Sequence, residues 1–230
     1  AMSDPDQYHA RQGLAALEHL VVQEIFLTET AVHADVILPA SAWPEKSGTV
    51  TNTNRQVQIG RPALPVPAGV KHDWWIIQEL ANQLGLEWSY SGVEMVFEEL
   101  KKAMNSIEGI TWDRLQKENS VTYPCNSSDQ PGQEIMFSDG FPTPSGRGKF
   151  VPADVLPPDE LPDNEYPMIL TTGRLLEHWH TGAITRRATI LDQIEPEAVA
   201  TLHPRDLKKI NVKPGDDIRV VTRRGAIKII

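Results

Sequence analysis

Hydrophobic and polar positions alternate with changing period along the chain, and the period predicts the elements. Asp4 and Pro5 form a helix-start signal, with Asp4 as N-cap and Pro5 at the first helical position. A helix is predicted from Gln7 to His19, with Leu14, Leu17 and Leu20 on one side. The run Leu20–Phe26 reads as a buried strand, Thr28–Ala31 as a short helical segment, and Ala34–Pro39 as a second strand. Helix, strand, helix, strand predicts a parallel α/β sheet. Glu45–Gln58 is rich in Gly, Thr and Asn and reads as a turn followed by an alternating strand.

After a linker with three prolines at 62–67, three amphipathic helices are predicted. Trp74–Leu84 is capped by Asp73, with Ile76, Ile77, Leu80, Ala81 and Leu84 inside, Trp74 and Trp75 in the core, and Gly85 at its end. Val93–Met104 and Trp112–Glu118 follow. Residues 138–167 hold seven prolines, a density that forbids regular helix and marks an extended connection, interrupted by a hairpin-like Phe141–Phe150. Beyond it, Met168–Thr172 and Val199–Thr201 read as strands, Arg205–Ile210 as a helix started by His203-Pro204, and Ile218–Thr222 and Ala226–Ile230 as a hairpin across Arg223-Arg224-Gly225.

Charge changes this picture. The 230 residues carry a net charge of −9, unevenly spread. From Ile169 onward eleven basic residues face seven acidic ones, so the remainder is strongly acidic. An acidic chain argues against nucleic acid as a main partner, and its apolar runs fall short of a membrane span. A single cysteine, Cys125, excludes an internal disulfide or a cluster held by cysteines of this chain alone, and fits a reducing compartment. In its Tyr-Pro-Cys loop it reads as a packed side chain.

The basic excess coincides with a donor-rich loop after Gly173, which holds Arg174, His178, Trp179, His180, Thr181, Thr185, Arg186 and Arg187, with Glu177 the one carboxylate. Cationic and hydroxyl donors after a strand end suit an anionic ligand with many acceptor oxygens; the same composition also suits a loop that only pairs with acidic neighbours. His178-x-His180 without Cys or Asp nearby is a weak metal signal. In parallel sheets ligands sit outside the carboxyl ends of the strands, which singles out Gln23, Glu24, Thr28, Thr30 and Ser41–Glu45. Glu24 and Glu29 read equally as ligand acceptors or solvent-facing charges.

Two separated motifs carry a resemblance. Thr-Thr-Gly-Arg…His-Trp-His-Thr-Gly…Thr-Arg-Arg, and Thr-Glu-Thr-Ala…Ala-Asp-Val-Ile-Leu-Pro…Glu-Lys-x-Gly-Thr…Thr-Asn-x-x-Arg-x-Val-Gln, resemble the molybdenum/tungsten bis(molybdopterin guanine dinucleotide) oxidoreductases, and within them the formate dehydrogenase catalytic subunits. The resemblance implies a Rossmann-like parallel sheet segment with helices, then a truncated double-psi β-barrel. Its domains are expected at 1–137 (part of a molybdopterin-binding α/β domain with a helical extension), 138–167 (linker) and 168–230 (the first part of a barrel that binds the dinucleotide).

It further implies bis-molybdopterin guanine dinucleotide with Mo or W, contacted by Asp4, Gln23, Glu24, Thr28, Thr30, Asn54, Arg174, His178 and Thr181. Family members often have Asp where Glu24 and Asn54 stand. No catalytic or metal-ligating residue is expected in this chain. The metal ligand and the iron–sulfur cysteines are expected in a missing N-terminal part, so the chain is expected to be an inactive fragment of a cytoplasmic subunit. Its expected partners are the rest of that subunit, iron–sulfur or flavin electron-transfer subunits, and formate. The alternatives are an oxyanion (nitrate) reductase of the same family, or a non-catalytic relic such as the large iron–sulfur subunit of respiratory complex I. The intact Arg174, His178 and Thr181 disfavour the relic.

Overall fold

A computed structural model describes Asp4 and residues 6–230. The first helix, α1 (Gln7–Ala15), is capped by Asp6, whose side chain accepts from the His9 amide at 3.0 Å. The cap is thus two residues later than the Asp4 expected, and Pro5 lies outside the described residues. The helix also stops short of His19. With no buried residue on α1, packing does not prolong it, and Gly13 near its end is a poor helix former.

Leu17–Val151 form one compact unit. Its parallel pair is β1 (Val21–Glu24) and β2 (Val36–Pro39), in the register Val21 to Val36 and Gln23 to Leu38. The expected Rossmann-type crossover is here a short 3₁₀ turn at Ala31–His33, which Thr28 starts by accepting the Ala31 amide on its hydroxyl. The polar stretch after β2 is not one strand but two. β3 (Gly48–Thr51) and β4 (Gln56–Gly60) make an antiparallel hairpin. Asn52 turns it by accepting from Gln56 N, and Arg55 takes a positive φ of 67°. Arg55 then reaches across to the carbonyls of Tyr123 and Gln133.

Three helices follow: α2 (Asp73–Gln83), α3 (Val93–Ala103) and α4 (Trp112–Glu118). Thr111 caps α4, accepting from Arg114 N at 3.1 Å. The strand β5 (Ser120–Thr122) closes the three-stranded sheet by pairing antiparallel with β4. Against this sheet lies the core: Val57, Phe97, Ile107, Ile110, Leu115, Val121 and Cys125. Cys125 packs there as expected, its thiol donating to the Ser127 and Gln130 carbonyls. The inward face of α2 is narrower than its sequence suggests. Ile76, Gln78 and Ala81 are buried, while Ile77, Leu80 and Leu84 are exposed. Trp74 and Trp75 are half-buried rather than core, and the Lys71 ammonium sits 4.8 Å from the Trp75 ring centre.

The second unit comprises Pro152–Ile230 with the segment through Ala16. The extended proline-rich stretch enters it without helix or strand. Two predicted strands are not formed: among the described residues 168–172 and 199–201 have no ladder partner, a single bond from Ala200 N to the Ile230 carbonyl at 2.7 Å aside, and Met168, Ile169 and Leu170 are exposed. Strand propensity without a full run of partner bonds leaves only extended chain. The helix started by His203-Pro204 and the closing hairpin form as expected, and one short helix forms that the sequence pattern did not predict. A short helix, α5 (Thr189–Ile194), precedes α6 (Pro204–Ile210), which His203 caps by accepting from Arg205 N. The hairpin β6 (Ile218–Thr222) and β7 (Gly225–Ile229) pairs in the register Ile218 to Ile229. Arg223 and Arg224 at its turn are not idle surface charges. Both pair with Glu160, and Arg223 also pairs with Asp163 and lies 4.6 Å from the Tyr166 ring centre.

Among the described residues no helix is long and apolar enough to cross a membrane.

Candidate functional site

In the first unit, polar side chains gather at the carboxyl ends of β1 and β2. Gln23 projects from β1 and donates through Nε2 to Asp73 Oδ1 at 2.6 Å. Asp73 is the first residue of α2, not its cap; His72 stands at the cap position. Lys46 donates to the second Asp73 oxygen and to the Ser41 carbonyl at 3.0 Å. Ser41 is fully buried. Its hydroxyl bonds His72 Nδ1 at 3.0 Å and its amide donates to the Lys71 carbonyl at 2.9 Å. Three stretches remote in sequence thus meet on one carboxylate. Partial burial opposes the charge on Asp73, but the bonds from Lys46 and Gln23 outweigh it and hold the carboxyl below its ordinary range. Beside this cluster a shallow cavity of about 200 Å³ is lined by residues including Lys46, His72 and Trp74.

The other expected contacts of this unit are dispersed. Strand alternation sends Gln23 and Glu24 to opposite faces, and the Glu24 carboxylate turns back onto the Ile25 amide at 2.9 Å. Thr28 is buried, with its hydroxyl accepting from Ala31 N at 3.4 Å. Thr30 is half-buried and ends the same loop, while Asn54 is exposed at the β3–β4 turn, on a different sheet.

In the second unit the donor-rich loop is built around His178, which is 7% exposed. Its Nε2 lies 2.7 Å from the Glu195 carbonyl, an acceptor only, so that nitrogen carries the proton. Nδ1 meets the Thr185 hydroxyl at 3.2 Å, and the same hydroxyl accepts from the Trp179 amide. Arg186 reinforces the knot through Asp192 and the Pro196 carbonyl. Gly182 closes it, with a φ of +75°; a Cβ there would stand 2.8 Å from Arg186 Cγ. His178 was expected to donate to a ligand, but both its ring nitrogens are spent inside the protein: it holds the loop. Arg174 and Thr181 are different. Both are exposed and make no hydrogen bond or ion pair with other described residues. Asp4, the remaining expected contact, is exposed on the segment before α1.

Sequence reasoning missed Lys46 and Glu195, and named Asp73 only as a cap and Thr185 only as one donor of the loop. An Asp before two tryptophans at a helix start reads as a cap, and a carboxylate–lysine pair 27 residues apart leaves no local trace.

The chain matches two family models: "Molybdopterin oxidoreductase" over residues 1–83 and "Molydopterin dinucleotide binding domain" over 168–230. It is 44% identical to the F420-dependent formate dehydrogenase subunit alpha of Methanocaldococcus jannaschii, over 98% of this chain and 34% of that protein. It is 34% identical to the assimilatory nitrate reductase catalytic subunit of Bacillus subtilis, over 100% of this chain and 33% of that protein. Acetylene hydratase from Pelobacter acetylenicus superimposes with a TM-score of 0.70 at 24% identity, covering 98% of this chain and 32% of that one. The chain therefore spans about a third of the length of the relatives it matches.

Proposed function

Because the chain belongs to the molybdopterin oxidoreductase family, we propose that it is the cofactor-gripping part of a formate dehydrogenase catalytic subunit. The observation that carries the substrate is the 44% identity to a formate dehydrogenase alpha subunit across nearly the whole chain. The donor set fits a molybdopterin guanine dinucleotide. A long polyanionic ligand requires unspent cationic and hydroxyl donors, and Arg174 and Thr181 are such donors on a loop whose shape is independently secured. In this reading residues 1–137 supply the Rossmann-like part, 138–167 the linker and 168–230 the first strands of a double-psi barrel.

When bound, the metal–pterin group supplies the two-electron chemistry that converts formate to carbon dioxide. This chain's residues bind and orient. Arg174 and Thr181 donate to phosphate or pterin oxygens, His178 holds their loop, and Gln23, Thr28 and Thr30 line the nucleotide end. Glu24, Asn54 and Asp4 remain candidate contacts. The iron–sulfur centre and the metal's protein ligand belong to other parts of the complete subunit, and electron-transfer subunits are its partners.

The test uses the complete subunit. Formate-dependent dye reduction is expected, with guanine nucleotide released on acid hydrolysis. Arg174→Ala is expected to lower molybdopterin content several-fold; unchanged content and unchanged formate oxidation would overturn the assignment. The nitrate reductase match across the whole chain supports a second reading, which nitrate reduction without formate oxidation would select.

A further inference from the structure

Residues 157–167 read Pro-Pro-Asp-Glu-Leu-Pro-Asp-Asn-Glu-Tyr-Pro, four carboxylates with no basic residue. The prolines hold this strap extended, and all of it but the half-buried Tyr166 is exposed. It buries little apolar surface, so polar contacts fix it to the rest of its unit. Among the described residues those contacts all end on two side chains. Glu160 accepts from Arg223 and, at 2.7 Å, from Arg224. Asp163 accepts from Arg223, and the Tyr166 ring centre lies 4.6 Å from the Arg223 guanidinium carbon. Asp163 also accepts from the Glu165 and Tyr166 amides at 2.9 and 2.7 Å. That turn brings residues spaced three apart onto one guanidinium, carboxylates at its edge and the ring on its face.

The basic turn does not depend on this cover. The β6–β7 ladder flanks it, and the Thr222 hydroxyl accepts from Arg224 N at 3.2 Å and donates to the Gly225 carbonyl at 3.3 Å. A site formed on its own thus carries an occupant held by exposed ion pairs, which are individually weak. We propose that the β6–β7 turn is a docking site for an acidic segment of a partner protein, and that residues 157–167 are its displaceable stand-in. The strap shows the chemistry of that segment: Glu-x-x-Asp-x-x-Tyr. The edge of a guanidinium takes carboxylates with two parallel donors, its face takes an aromatic ring, and paired arginines read acidic motifs. Nucleic acid carries phosphates and rings too, but the net charge of −9 on this chain opposes it.

The test is fluorescence anisotropy of a labelled peptide of residues 157–167, titrated with the full chain. Each exposed pair favours the closed strap roughly two- to fivefold, so the three together favour it by about tenfold. With an effective concentration on the order of 1 mM, the uncovered turn should bind the peptide with a Kd of about 0.1 mM. The double variant Glu160→Gln, Asp163→Asn uncovers it, since asparagine keeps the acceptor that the two amides require. Binding is expected to be about tenfold tighter in that variant than in wild type. Adding Arg223→Ala to it is expected to abolish binding, whereas adding Arg219→Ala, which removes an exposed charge from the same hairpin, is expected to change nothing. A peptide with only the Glu-x-x-Asp-x-x-Tyr spacing on a Ser/Pro background is expected to bind like the native one. Equal binding by wild type and the double variant would show that the strap does not occupy the site. Binding that survives Arg223→Ala would place the site elsewhere. A scrambled peptide of the same charge binding as well, or a short DNA binding more tightly, would make the turn a general polyanion patch. Any of these three results overturns the proposal.

Discussion

Replacing His178 with alanine tests whether the donor loop is shaped from within. The side chain is buried and makes two bonds, at 2.7 Å to the Glu195 carbonyl and 3.2 Å to the Thr185 hydroxyl. Each buried bond contributes about 0.5–1.5 kcal/mol net, so the pair contributes about 1–3 kcal/mol to the closed loop. Arg186 also reaches the Glu195 carbonyl at 3.4 Å, too long to replace the lost partner fully. Local opening should therefore rise by roughly 5- to 150-fold. The assay is native-state hydrogen exchange at three amides: Trp179, which donates to Thr185 Oγ1, Gly182, which donates to the Trp179 carbonyl, and Arg186, which donates to the Gly182 carbonyl. Protection should fall at these three and stay unchanged at Val57 and Val121 in the other unit. Gln at 178 carries an amide nitrogen at the reach of Nε2 and should recover about half the loss. Exchange within twofold of wild type in His178→Ala would refute the reasoning, since a side chain that holds nothing cannot release anything.

Leu115→Ala removes a fully buried side chain from the core cluster and should cost about 2–5 kcal/mol in chemical denaturation; a loss under 1 kcal/mol would mean the core is not where Leu115 sits. Asp73 has a folded-state pKa below the ordinary value of 3.8, so its contribution is present above that value and is lost as pH falls through the lower folded value. The stability gap between wild type and Asp73→Asn should thus be constant near neutrality and close only below about pH 4; a gap that closes between pH 5 and 7 would contradict the sign. Glu160 and Asp163 are exposed partners of Arg223 and Arg224, so Glu160→Gln or molar salt should speed proteolysis within 157–167, whereas rates indifferent to both would show that the ion pairs do not tether the segment.

Much of the fold was legible because it rests on local rules. Pro204 after His203, Gly85 after the last turn of α2, and Arg-Arg-Gly between two alternating runs each signal a cap or turn by identity alone. Parallel pairing of β1 and β2 followed from the order of apolar runs, and the family followed from two motifs.

What tertiary structure decided was partnership. Met168–Thr172 has strand composition but no ladder partner among the described residues, so it stays extended chain. Ile77, Leu80 and Leu84 fit a helical stripe, yet α2 turns only a narrower face inward. His178 and Arg174 look equivalent in the sequence, as two cationic donors on one loop. Only the fold brings the Glu195 carbonyl and Thr185 to the imidazole and leaves the guanidinium without a hydrogen bond to other described residues. Asp73 likewise meets Gln23 and Lys46 across 50 and 27 residues. Local propensity depends on neighbours in the chain, whereas a hydrogen bond depends on neighbours in space, and only folding makes the second kind.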